Sequence, residues 1–154
     1  MTKQDYDLHE KEFVEEPFLS QLETQKWLVK RLTSNQKPED SFRESFSDVV
    51  LLPELKKSLV AINPWLEEDQ LPELIRRITS FETSSLIEAN KSILQLLIEN
   101  TSTDVNRQTG EASPTVRYID FKNIDNNAFL AVSQMKFRVL GTDNFIYPDI
   151  VLFV

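Results

Sequence analysis

Hydrophobic residues in the first hundred positions recur at the spacing of amphipathic helices. A charged lead-in precedes a predicted helix that ends at Leu32, and Pro17 suits its first turn, where no backbone N–H is needed. Its expected core-facing stripe comprises Val14, Phe18, Leu22, Val29 and Leu32. Three further helices are predicted over 53–62, 68–81 and 85–100, and the last begins with a capping box formed by Ser85 and Glu88.

The spacing of apolar residues changes to alternation after position 101. A glycine-containing turn at 108–111 predicts a hairpin, and residues 129–139 alternate as a half-buried strand. The polar face of that strand carries Gln134, Lys136 and Arg138. A turn at 141–144 precedes a final strand over 145–154, which is apolar on both faces. We therefore expect the final strand to be central in a sheet and covered on both sides.

Helices over 10–100 followed by strands over 103–154 predict an α+β fold with a mostly antiparallel sheet. The length of 154 residues suits a single domain spanning 1–154. A central strand that ends the sequence would leave the sheet unfinished. The pattern is therefore typical of a truncated fold.

Composition excludes several classes of function. The chain has no cysteine, so disulfides and thiolate metal sites are excluded. Its two glycines, Gly110 and Gly141, cannot build a phosphate-binding P-loop. The amino terminus lacks a signal-peptide pattern and no apolar run is long enough to cross a bilayer, so we expect a soluble cytoplasmic protein without a membrane partner.

Asp149 is the candidate site residue, because it is a carboxylate at the head of the apolar segment 150–154. Such a group is costly unless something pairs with it. A divalent cation is one possible partner, and an arginine, a lysine or backbone amides are others. The residues alone favour the simpler alternative, in which Asp149 caps N–H groups at a turn.

Charged residues elsewhere leave several alternatives open. The acidic residues before Pro17 complement the dipole of the first helix, although Glu15 or Glu16 could instead point at Asp149. The single histidine, His9, is expected to be inert. The basic pairs at 30–31, 56–57 and 76–77 could face phosphates, but such pairs are more often solubilising surface.

Several segments together resemble one family, the amino-terminal nuclease region of the R subunit of type I restriction enzymes. The segments are LLPELKKSLVAINPW (51–65), SSLIEANKSILQLLI (84–98), RYIDFKNIDNNAFLAV (117–132) and YPDIVLFV (147–154). They occur in the family's order and at similar separations, and the opening segment 13–27 also fits. The resemblance covers nearly the whole chain.

The resemblance implies an incomplete restriction-endonuclease-like core with a Pro-Asp…Glu-x-Lys site that binds Mg²⁺ and cleaves DNA. Asp149 matches the aspartate of that motif, as catalytic residue and metal ligand, and the Glu-x-Lys is expected beyond Val154. It further implies that the parent subunit uses ATP on later domains and works with modification and specificity subunits. One aspartate cannot organise the ion alone, so we expect these 154 residues to be inactive.

The net charge of −8 favours an alternative function of another class. Sequence-independent DNA binding depends on lysine and arginine, so an acidic module is a poor DNA binder by itself. An acidic, non-catalytic interaction module, or a DNA mimic that docks on a basic partner, would have this composition.

Overall fold

The computed structural model describes residues 11–80 and 85–154. These residues form two compact units, one from 11–49 with 128–154 and the other from 50–127. The predicted α+β class is confirmed, and all but one of the strand pairings between the named strands of the described residues are antiparallel. None of the helices in the described ranges has the length and apolar character needed to cross a membrane.

The first unit opens with a helical turn, Lys11–Glu15, that continues into α1 (Glu16–Thr24). The prediction that this helix reaches Leu32 is wrong, because Lys26 takes a left-handed conformation (φ 68°) that ends it. The chain then forms strand β1 (Leu28–Arg31), so a strand lies inside the region expected to be helical.

The buried face of α1 also differs from the predicted stripe. Leu19 and Leu22 are buried and pack with Ala131, whereas Val14 and Phe18 are exposed. The apolar spacing was compatible with either face of the helix. The face is decided by the sheet on which the helix packs, and that sheet is built from distant segments of the chain.

The sheet of the first unit has three strands in the order β1, β4 (Leu130–Ser133), β7 (Ile150–Phe153). β4 runs parallel to β1 and antiparallel to β7, with Val132 opposite both Lys30 and Val151. All four residues of β4 are buried. Within the described residues, the central strand is therefore β4, and the prediction that the last strand is central is wrong.

The strand predicted over 129–139 is interrupted at Gln134, which has a φ of 55°. After this break, β5 (Phe137–Arg138) pairs with β6 (Phe145–Ile146) in a short hairpin. The Val139 N–H donates to the Asn144 carbonyl across the turn predicted at 141–144. The segment 147–149 separates β6 from β7, so the predicted final strand is two strands.

The second unit contains three helices and a small hairpin. The helices are α2 (Leu52–Ile62), α3 (Leu71–Thr79) and α4 (Leu86–Glu99), close to the predicted bounds. Ser85 is the N-cap of α4, and its hydroxyl accepts the Glu88 N–H, as predicted. β2 (Thr101–Ser102) pairs with β3 (Thr115–Val116), which confirms the predicted hairpin.

The core of the second unit joins these helices to β3. Its buried residues are Leu59, Leu66, Leu71, Leu74, Ile75, Val116 and Tyr118. The Tyr118 hydroxyl donates to the Leu74 carbonyl at 2.7 Å, so its polar end is satisfied inside the core. Burial raises the pKa of Tyr118 to about 12, because the charged phenolate is disfavoured there.

Candidate functional site

Asp149 lies in the segment that leads from β6 into β7, and its side chain is exposed. Its backbone carbonyl accepts the N–H of Gln134 at 2.9 Å. This bond continues the pairing of β4 with β7 by one position, so the sheet fixes the backbone of Asp149 opposite Gln134. The carboxylate therefore stands at the end of an ordered strand pair, with access to solvent.

Gln134 is held in its left-handed conformation by the buried side chain of Gln36. The Gln36 amide donates to the Gln134 carbonyl at 2.8 Å, and its oxygen accepts the N–H of Lys136 at 2.9 Å. A third bond, to the Thr33 carbonyl at 2.9 Å, anchors Gln36 to its own loop. The break after β4 is therefore a defined structure with satisfied backbone groups.

The side-chain amide of Gln134 lies between two carboxylates. Its nitrogen is 3.4 Å from Asp149 Oδ1 and 3.4 Å from Glu15 Oε2. Glu15 ends the helical turn before α1 and is only 9% exposed. Both contacts are long for hydrogen bonds, so this one amide satisfies the two carboxylates weakly. Three distant segments thus bring Glu15, Gln134 and Asp149 together.

The structure separates Glu15 from its neighbour Glu16. The Glu16 carboxylate accepts from Arg31 at 2.9 Å and has a structural role beside β1. Arg31 also pairs with Glu23 at 2.7 Å, and these two hydrogen bonds raise its pKa. His9 and Glu10 lie outside the described residues, and Glu12 is exposed.

Asp149 has no arginine or lysine partner within the described ranges, and the one hydrogen bond of its carboxylate there comes from the Gln134 amide. The same ranges contain no group of three or more acidic, histidine or cysteine side chains arranged to hold a metal ion. The arrangement is a pair of carboxylates, one buried and one exposed, linked through an amide.

Sequence reasoning missed Gln134 and Gln36. Gln134 was assigned to a solvent-facing polar side of a strand, and Gln36 lay in a segment without a periodic pattern. The available signal was the polar series 134, 136 and 138 within an apolar strand. That series shows a polar face but does not reveal that the backbone turns at Gln134.

A comparison with protein-family models matches residues 7–154 to the family described as "Type I restriction enzyme R protein N terminus". One relative, provisionally named as the type I restriction enzyme MjaIXP endonuclease subunit of Methanocaldococcus jannaschii, is 27% identical over the whole chain. The type I restriction enzyme HindI endonuclease subunit of Haemophilus influenzae is 28% identical over 73% of the chain.

The chain spans only 15% and 10% of the lengths of these two relatives. No solved structure matches it. Because the family model covers nearly every residue, the chain belongs to the family of type I restriction enzyme R protein amino-terminal regions.

Proposed function

We propose that this chain supplies part of the magnesium-dependent DNA-cleaving site of the R subunit of a type I restriction-modification system. The observation that carries the proposal is the approach of Glu15 and Asp149 to a single amide nitrogen. Two carboxylates that converge on one donor repel each other, and a divalent cation would relieve that repulsion. Family membership supports the same function.

The side chains fit Mg²⁺ in their chemistry. Magnesium prefers hard oxygen donors and keeps several waters, so one or two carboxylates are a usual protein contribution. Asp149 is exposed and could be a direct ligand, while the buried Glu15 would act beside it. The Gln134 amide holds the two carboxylates side by side, and because both of its contacts are long, an ion could bind the pair without breaking a strong hydrogen bond.

The bound ion would polarise the phosphodiester and lower the pKa of a water nucleophile. The chain's own residues hold the donors in position. β4 and β7 fix the backbone of Asp149, and Gln36 fixes the turn that carries Gln134. The Gln134 amide then orients both carboxylates toward one point.

We expect these 154 residues alone not to cleave DNA, since the described part has only two converging carboxylates. Further ligands and a lysine would come from a Glu-x-Lys segment of the parent subunit. That subunit would act in the cytoplasm with modification and specificity subunits, and would use ATP on other domains. A restriction-endonuclease-like core is the fold that this arrangement would complete.

The alternative of an acidic DNA mimic finds less support. A mimic needs an array of unpaired negative charges, yet several exposed carboxylates here are paired with arginines. The paired carboxylates are Glu16, Glu23, Glu67, Asp69 and Glu73. These pairs leave fewer carboxylates open to a basic partner, although the net charge of −8, which already counts the arginines, remains.

The test is DNA cleavage by the assembled restriction complex that contains the full-length subunit. We expect D149N to reduce Mg²⁺-dependent cleavage of plasmid DNA by about 100-fold or more, because a metal-holding carboxylate is lost. ATP hydrolysis, which needs other domains, should persist and would prove that the complex assembles.

Asp125 provides the matched control, since it is an exposed aspartate of the second unit. D125N removes the same charge and should leave cleavage unchanged. If D149N cleaves as fast as D125N, Asp149 has no role in the reaction and the proposal is overturned.

A further inference from the structure

The positive charges flagged by the sequence are largely paired with carboxylates. Arg31 pairs with Glu16 and Glu23, and Arg76 and Arg77 share Glu73. These pairings neutralise much of the phosphate-facing patch that the basic pairs could have formed. Cations outside these ion pairs are therefore better candidates for a contact with DNA.

Lys136 and Arg138 differ from these cations in their surroundings. Neither forms an ion pair with a carboxylate in the described part of the chain. Each instead lies over aromatic rings. The Lys136 ammonium is 4.1 Å from the centroid of Phe145 and 4.8 Å from that of Phe46. Arg138 is 5.6 Å from the centroid of Phe145.

We call this surface the cationic hairpin: β5 and β6 with Lys136, Arg138, Phe145 and Tyr147. Aromatic rings attract a cation without neutralising it, so both charges remain available to an anion. The rings also restrain two long side chains, which lowers the entropy lost when they bind a ligand. Arg138 is exposed and Lys136 is half-buried.

A third cation lies beneath the hairpin. Arg43 is 3% exposed and donates to the carbonyls of Lys136 and Asp48 and to the Ser41 hydroxyl. Burial lowers the pKa of Arg43, and nearby Asp48 opposes that shift. An arginine stays protonated at neutral pH, so Arg43 adds a fixed positive charge behind Lys136.

The cationic hairpin adjoins the carboxylate pair through the chain itself. Lys136 follows Gln134 by two positions, and Tyr147 precedes Asp149 by two. The Gln134 N–H donates to the Asp149 carbonyl, so the two ends of the hairpin segment are tied together there. A phosphate strand bound to the hairpin would therefore pass close to Asp149.

We propose that the cationic hairpin binds the phosphate backbone of duplex DNA and delivers it to the Glu15–Asp149 pair. This inference rests on the proposed nuclease function. The ligand is duplex rather than single-stranded DNA because Lys136 and Arg138 already lie over the ring of Phe145, the kind of ring on which unpaired bases would stack. Recognition is then by charge, without sequence preference.

The test measures binding of the 154-residue chain to a labelled duplex of about 30 base pairs and arbitrary sequence, over a salt series from about 50 to 200 mM. EDTA is present, so neither a metal ion nor cleavage is needed. We expect K136Q/R138Q to weaken binding roughly tenfold or more at about 0.1 M salt. The slope of log K against log salt should fall in magnitude by about 1.8, since each phosphate contact contributes about 0.9.

K56Q/K57Q is the control for charge, because it removes two positive charges from exposed lysines of α2, of which Lys57 is ion-paired with Glu54. It should bind with the wild-type slope. The charge-conserving variant K136R/R138K should restore most of the affinity. If the glutamine variant does not fold by circular dichroism, chemical acetylation of the wild type provides the answer, and bound DNA should protect Lys136 but not Lys56.

Three results would overturn this inference. They are no duplex binding by the wild type at low salt, equal losses in the hairpin and α2 variants, and tighter binding of a single strand than of the duplex. None of them bears on D149N in the cleavage assay, so the proposed nuclease function would still be judged separately. Loss of cleavage in D149N with unchanged binding by K136Q/R138Q would reject the hairpin alone.

Discussion

At position 134 the backbone adopts a left-handed conformation that residues other than glycine seldom take. This conformation costs an L-residue about 1 kcal/mol or more. Glycine would fit the turn at lower cost, yet the position holds a glutamine whose amide reaches Glu15 and Asp149. Retaining strain beside two converging carboxylates is typical of a functional position.

Replacing Gln134 by glycine separates the two roles of this residue. In Q134G the relief of backbone strain offsets the lost amide contacts, so the free energy of unfolding should change by less than about 1 kcal/mol. Cleavage by the full-length subunit should fall and require more Mg²⁺, since nothing then orients the carboxylates. Denaturant titration and a magnesium series measure the two effects.

Ser113 is the control for this substitution, because it also has a positive φ, 52°, but belongs to the second unit. S113G should leave both cleavage and its magnesium dependence unchanged. A Q134G protein with wild-type magnesium dependence would show that the amide is a structural feature only.

Among the elements, α4 departs most from its amphipathic pattern. The sequence predicts an amphipathic helix here, but no residue of α4 is fully buried. Leu96 and Leu97 pack against the core of the second unit, whereas Leu94 and Ile98 are more than half exposed. The apolar face of α4 is therefore broader than the surface of the second unit against which it packs.

This division predicts unequal effects of two identical substitutions in α4. L97A removes packing against the core and should destabilise the second unit by about 1–2 kcal/mol. L94A, at a position 56% exposed, should cost less than about 0.5 kcal/mol. Hydrogen exchange of the amides of α3 reports the stability of this unit. Equal losses would mean that Leu94 is buried in solution.

Across the whole molecule, the sequence pattern correctly predicted the structural features that depend on residues close together in the chain. The bounds of α2, the N-cap of α4 and the hairpin turns follow from prolines, a serine cap and glycines, and all are confirmed. The predictions were wrong where the structure depends on contacts between segments that are distant in sequence. The face of α1, the conversion of 28–31 into β1 and the central position of β4 all depend on which strands pair.

The candidate site shows the same contrast between local features and features set by distant segments. Asp149 was identified from one short segment because a carboxylate beside an apolar strand is unusual. Gln134 contacts Glu15 across 119 positions, a separation that no local period encodes. The sequence therefore left Glu15 and Glu16 as alternatives, and the structure separates them through Arg31 and Gln134.

The most direct test of the metal site is anomalous X-ray diffraction from crystals of the full-length subunit soaked in Mn²⁺, a substitute for Mg²⁺. We predict a manganese peak at coordination distance from Asp149, on the side that faces Glu15, and its loss in D149N. A well-occupied peak elsewhere in a preparation that cleaves DNA, or an unchanged peak in D149N, would contradict the account.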